Sequence, residues 1–456
     1  MAKNEFVEDI EIYEGEVYPL IIKKSVPVLW GLLFQFLYNI VDTYFVSLIN
    51  KNEPYYISGI GVVYPLIFFL IAIMQGLQIG ISTYTAFIYG KKKFEEIYKL
   101  YNTSISFVIL FSSILLIFII FFNDNIIHIL IGNSVSDKII KVAKEYILFY
   151  SPSILFMFLS SVFFGILQGK GETKYIGKVM MISTIINTIL DPILIFYFHL
   201  GVKGAALATT ISNSINLLYG LWIFTKNKTK VLHSYKFELQ KKYIKEIFSL
   251  GFPHFLSLVV LSIAFTLLNR LVGKIGEYEL NSFILVGRLD NIIFVPIIAI
   301  STALNPLIGQ NFSRNNISRV KEIYFKSLIL LFVVSIFLNI IYVVFSEEIF
   351  SFFSNIKEVI KIASLQVKYT NTSLLIGAGI GIISRAVLQA IGKPKYSLFI
   401  IVLRVLIINI PLAYIFVYLF GYNMLYLWYS FIITNFSIGI ISYILTIKTL
   451  KKYENN

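Results

Sequence analysis

No cysteine occurs in the 456 residues, which excludes disulfides and thiolate metal sites. Histidine is nearly as scarce. His128, His199, His233 and His254 are scattered with no pair at i, i+4 spacing, so a zinc site is not expected. Charged residues make up only 14% of the chain, and acids are the rarer sign, with 25 Asp and Glu against 39 Lys and Arg. No acid at all occurs between Glu358 and Glu454. The opening stretch MAKNEFVEDIEIYEGEVYPL is acidic and polar, without the ordered basic, apolar and small-residue regions of a cleavable signal peptide, and none is expected.

What fills the chain instead is apolar surface. Hydrophobic residues reach 57%, with a mean hydropathy of +0.79, which reads as an all-α polytopic membrane protein embedded in a lipid bilayer. Charged breaks separate twelve apolar spans, at 25–49, 56–89, 102–122, 146–167, 176–199, 204–225, 247–272, 282–309, 325–345, 363–388, 396–420 and 424–447. A net charge of +14 raises nucleic acid as a partner, but the basic residues lie between spans and form no single patch, so none is expected. With the N-terminus placed inside, 27 of the 39 Lys and Arg fall in or beside the inside breaks and 10 outside; Arg288 and Arg404 lie within spans. That bias predicts a multi-pass protein of the cell membrane with both termini cytoplasmic.

The basic break KNKTKVLHSYKFELQKKYIKE at 226–246 divides the chain into two sets of six spans. The expected organisation is a cytoplasmic N-terminal segment (1–24), an N-lobe (25–225), a cytoplasmic linker (226–246), a C-lobe (247–447) and a cytoplasmic tail (448–456). The halves echo each other. GILQGKGETKY at 165–175 aligns without gaps on AVLQAIGKPKY at 386–396, each after the fourth span of its half. FEEIYK at 94–99 is echoed by VKEIYF at 320–325 after the second. An even number of spans per repeat keeps both halves in one orientation, so they are parallel repeats about a pseudo-two-fold axis along the membrane normal.

Polar residues inside apolar spans carry the functional argument. Asp191, in STIINTILDPILI at 183–195, places a carboxylate where insertion costs roughly 2.5–3.5 kcal/mol, which marks an ion or substrate pathway. Asn187 lies one turn earlier on the same face, and Pro192 gives no N–H to the carbonyl of Thr188. A helix end with Asn187 as a satisfied polar residue is the plainer alternative. The first span carries Gln35, Asn39 and Asp42 on one stripe with Tyr38 nearby; the sixth carries Thr209, Asn213 and Asn216; the second carries Gln75, Gln78 and Ser82; Tyr146 opens the fourth. These stripes can converge with Asn187 and Asp191 on a cavity. Gln75, Gln78, Asn213 and Asn216 equally suit helix-to-helix glue, worth about 0.6 kcal/mol each. Asp42 and Asp191 do not, because a carboxylate makes poor glue unless protonated or bound to a cation. Two such acids suit a shared proton, or Na+ on the same oxygens, and Pro27 and Pro192 mark where a helix can bend.

The second half differs in kind. Where the first has Asp191, it has AsnIleProLeu at 409–412. Asp290 sits beside Arg288, and a salt bridge between them near the outer surface is one reading. Arg404, about nine residues or roughly 13 Å into the eleventh span, either snorkels or pairs with a partner. Otherwise this half offers aromatics and aliphatics, suited to lipophilic or cationic small molecules.

Taken together, SVPVLWGLLFQFLYNIVDT (25–43), LQGKGETK after the fourth span, NTILDP in the fifth and GAALAT in the sixth resemble the multidrug and toxic-compound extrusion (MATE) family over nearly the whole chain. The resemblance implies a V-shaped pair of six-helix bundles and a secondary active antiporter that exports drugs by alternating access, driven by H+ or Na+. In the archaeal and bacterial branch it is most similar to, the first-lobe cation site maps onto Asp42, Asn187, Asp191 and Thr209, with Pro27 as bending proline and Tyr146 nearby. Sodium-type members also carry acids in the seventh and tenth spans; here HFLSLVVLS follows GlyPhePro (251–253) and the tenth span has no acid, so coupling is expected in the first lobe. A flippase for a lipid-linked saccharide precursor, from the same wider superfamily, is the alternative. No enzyme is expected, since no nucleophile–base pair or metal set is present. Nor is a cofactor beyond the coupling ion, and a monomer is the expected state.

Overall fold

In a computed structural model, the structure describes residues 10–49, 55–131, 137–226, 235–421 and 423–454. Every described element is helical. A backbone in hydrocarbon must satisfy its own N–H and C=O groups, and helices do so within one segment. Among the described residues, eleven helices are long and apolar enough to cross a membrane, so the chain is a multi-span membrane protein. The expected sixth span is a 25-residue helix, Val202–Lys226, but is not among the eleven. Thr209, Thr210, Ser212, Asn213, Ser214 and Asn216 dilute its apolar run.

The repeat echoes are expressed as matched helix ends. Gly171 and Gly392 take left-handed φ values of 89° and 74° after the fourth and tenth spans. At both, the following N–H reaches back to close the last turn, Glu172 to the Leu167 carbonyl and Lys393 to the Leu388 carbonyl, each at 2.8 Å. Lys92 and Asn315 end the second and eighth spans in the same way, with φ of 56° and 60°. Those two are 223 residues apart, whereas the sequence echo at 94–99 and 320–325 spans 226. The second echo is therefore about one turn out of register with the geometry.

Two compact units emerge. Among the described residues, the first lies within 30–252 and the second comprises 10–29 with 253–454. In the first, Tyr101 of the third span stacks on Phe224 of the sixth at 6.0 Å, and Phe163 of the fourth meets Phe224 edge-on at 5.0 Å. The second and fourth spans touch backbone to backbone. A Cβ on Gly169 would stand 2.3 Å from the Ser82 carbonyl oxygen, and one on Gly165 2.9 Å from that of Gln78.

The second unit takes in residues 10–24, which the charge pattern sets apart as part of a cytoplasmic segment. Ile12, Val17, Leu20 and Ile21 are buried among Leu304, Leu307, Ile308 and Val387. Asn311 donates to the Ile12 carbonyl at 3.0 Å, Tyr13 donates to Gln310 at 2.9 Å, and the Arg314 guanidinium lies 3.5 Å over the Tyr13 ring. Arg319 completes the seam by donating to the Gly15 carbonyl. Four apolar residues spaced along a short stretch carry this docking, which the acidic residues around them disguise. Pro27, in the first span Val17–Ser47, also belongs to this unit.

Because the Gly169 contact is backbone to side chain and cannot flex away, Gly169→Leu is expected to destabilise the protein by about 1–3 kcal/mol, the usual cost of overpacking. Thermal unfolding in detergent, against Gly61→Leu, where a Cβ meets nothing within 4 Å, checks this.

Candidate functional site

The fifth span begins as an ordinary α-helix, Thr173–Pro192, and changes winding after its proline into a π-helical turn, Ile193–Tyr197. Pro192 has no N–H for the turn before it, so the helix widens where the ladder is broken. Phe198 donates to the Ile193 carbonyl at 3.0 Å, and Leu200 to that of Leu194 at 3.2 Å. The sixth span packs on this widened turn through Gly204, where a Cβ would lie 2.7 Å from the Leu194 carbonyl.

Asp191 has 0% of its surface exposed and Asn187 1%. With the Asn187 amide oriented to satisfy both its atoms, its nitrogen donates to Asp191 Oδ2 at 3.0 Å and its oxygen accepts from the Thr209 backbone N–H at 3.2 Å. The structure thus brings together three of the four residues expected to hold a cation. Thr209 enters through its main chain, while its hydroxyl turns to the Ala205 carbonyl at 3.2 Å. Asp42 lies in the first span, but its side chain, with those of Tyr38 and Asn39, falls outside the described residues.

The fourth span supports the sixth from the other side. Thr210 donates to the Phe149 carbonyl at 2.9 Å, and Lys203 pairs with Glu145 at 3.4 Å while lying 5.9 Å over the Phe149 ring. Tyr146 is buried between these contacts and stacks on Tyr150 at 5.9 Å. Other members of the polar stripes do different work. Gln78 donates to Gln168 at 3.3 Å, from the second span to the fourth. Asn216 donates to Asn213 at 3.4 Å within one helix, so that pair joins no two spans. Gln35 is exposed.

In the second unit, among the described residues, Asp290 makes no salt bridge with Arg288. Two residues apart on a helix, their side chains point to different faces. Arg288 is exposed, and Asp290 faces the buried hydroxyl of Tyr342. Arg404 pairs with Asn435 of the twelfth span, at 3.1 Å. Arg385 lies within electrostatic reach of both Arg404 and His254, a grouping that sequence hides because each stands alone in its own span.

The profile of the MatE family matches residues 27–193 and 253–415. The chain is 28% identical over 411 residues to the multidrug export protein MepA of Staphylococcus haemolyticus, covering 90% of this chain and 89% of that protein. Against MepA of Staphylococcus aureus strain NCTC 8325 the identity is 28% over 428 residues, with 91% of each chain covered. Among solved structures, a multidrug resistance MATE family transporter of the MOP superfamily in an outward-facing conformation superposes with a TM-score of 0.90 at 22% identity, over 99% of both chains.

Removing the donor to a buried carboxylate costs about 1–3 kcal/mol. Asn187→Ala is therefore expected to lower the unfolding temperature by several degrees, and Asn213→Ala, whose bond is local, to leave it nearly unchanged. Tryptophan fluorescence during thermal unfolding reads both.

Proposed function

The chain belongs to the MatE family, and from that premise we propose that it is a secondary active antiporter exporting lipophilic and cationic compounds in exchange for H+ or Na+. The observation that carries the reading is Asp191, a carboxylate without exposed surface in an apolar span, oriented by Asn187 and followed by a proline and a π-turn. A carboxylate so placed is stable when it takes up a proton or a small cation, and unstable without either. Export is also what the names of the two MepA relatives describe, which favours it over the lipid-linked saccharide flippase.

The proposed roles follow from the bonds. Asp191 is the coupling group, with Asp42 as its partner acid in the first span. Asn187 orients Asp191 and is itself held by the Thr209 N–H. Loading Asp191 with a proton removes its charge and weakens its hold on the Asn187 amide, since hydrogen bonds to charged groups are roughly twice as strong as neutral ones. The widened turn at 193–197 and the missing bond at Pro192 are the compliant place where such a change moves the helix. With Tyr146 supporting and Pro27 bending the first span, that motion is the switch of alternating access. The substrate is a small molecule, the protein works as a monomer, and both termini face the cytoplasm.

Dye efflux from proteoliposomes tests the proposal. An imposed proton or sodium gradient is expected to drive ethidium out, and Asp191→Asn and Asp42→Asn are each expected to cut the driven rate by about tenfold or more, the scale of a lost charged contact. Should neither gradient move the dye and both variants match the parent, the antiporter reading fails.

A further inference from the structure

The second unit gathers cationic side chains in the part of the chain that has no acid. Arg404 lies in a π-helical turn of the eleventh span, Leu403–Asn409, and donates from Nη2 to Asn435 Oδ1 at 3.1 Å. Asn435 Nδ2 donates to Ser373 Oγ at 3.3 Å, and Ser373 opens a second π-helical turn, Ser373–Ala378, in the tenth span. Farther along the tenth span, Arg385 Nε donates to the Ser397 carbonyl at 3.1 Å. Arg385 is within electrostatic reach of both Arg404 and His254 of the seventh span.

Three features of this cluster go beyond structural glue. A guanidinium carries five N–H donors, yet among the described residues Arg404 and Arg385 each spend one. Neither has an acid partner among the described residues, and the spans that carry them hold none. Cations inside a membrane protein normally face a counter-charge or a water-filled path. Each of the two residues keeps a minor part of its surface exposed.

The local backbone is shaped to hold the arrangement. A Cβ on Gly377 would stand 2.5 Å from the Asn435 carbonyl oxygen, so this glycine lets the tenth and twelfth spans meet where Asn435 bonds Arg404. π-turns insert a residue into a helix, re-aim the side chains beside them and concentrate at functional sites. One of them contains this arginine, and the other begins at the Ser373 that accepts from Asn435. Around it the wall is apolar, with Val260, Leu261 and Ala264 of the seventh span packed on Ile401, Val402 and Val405 of the eleventh.

We propose that Arg404 and Arg385 form a binding site for a phosphate group carried on an apolar chain, with Asn435 as the residue that positions Arg404. Forked donors on two guanidiniums match the several acceptor oxygens of a phosphate and its charge, and the Val and Leu wall receives the chain. The ligand is a phospholipid headgroup or a soluble phosphate ester. The proposal concerns binding and does not depend on drug export.

Native mass spectrometry of the full-length protein in a maltoside detergent, titrated with dodecyl phosphate, gives the readout. Saturable binding is expected, weakened about tenfold or more in both Arg404→Gln and Arg385→Gln, the scale of a hydrogen bond to a charged group. Displacement by phosphatidylglycerol would identify a lipid as the source, and displacement by inorganic phosphate a soluble ester; each supports the site. Equal affinity in the parent and both variants overturns the proposal. So does binding of dodecyltrimethylammonium to the parent as tight as that of dodecyl phosphate, an outcome that needs no variant to fold.

Discussion

A fully buried carboxylate one residue ahead of a proline is the constraint around which the first unit is arranged. Water would solvate Asp191 at no cost, but an apolar span offers only what neighbouring residues supply. Asn187 supplies a donor one turn away, and the Thr209 N–H fixes that amide in turn. For the sixth span to bring Thr209 so near, it must approach the fifth at backbone distance, which Gly204 permits. Thr210 and Lys203 then tie the sixth span to the fourth. A single charge thereby accounts for a chain of contacts across three spans.

The second unit answers the same constraint with the opposite sign. Its eleventh span widens at Leu403–Asn409, just ahead of Pro411, much as the fifth widens after Pro192. The related halves thus place a proline and a π-turn in corresponding spans. One half sets a carboxylate beside it and the other an arginine.

Much of the design was legible from residues alone. Asp191, Asn187 and Thr209 stand out in the sequence because polar groups in apolar spans are costly enough to demand a reason. The helix-ending pair Gly171 and Gly392 was visible as a gapless echo. Less visible was the docking of Ile12, Val17, Leu20 and Ile21, since four apolar residues among acids resemble a solvated segment. The guanidinium cluster was also hidden. Arg385 reads as one more basic residue near a loop, and only folding brings it near Arg404 and His254.

The sequence by itself determined the helical type of the elements, the repeat and the residues whose burial needs explaining, because hydropathy, turn chemistry and charge in apolar runs are local properties. Tertiary structure alone decided who answers those residues. It showed that Thr209 meets Asn187 through its main chain, that Asp290 faces Tyr342 and not Arg288, and that Arg404 finds Asn435. Those pairings join spans far apart in the chain, and no local pattern encodes which face of one helix will meet which face of another.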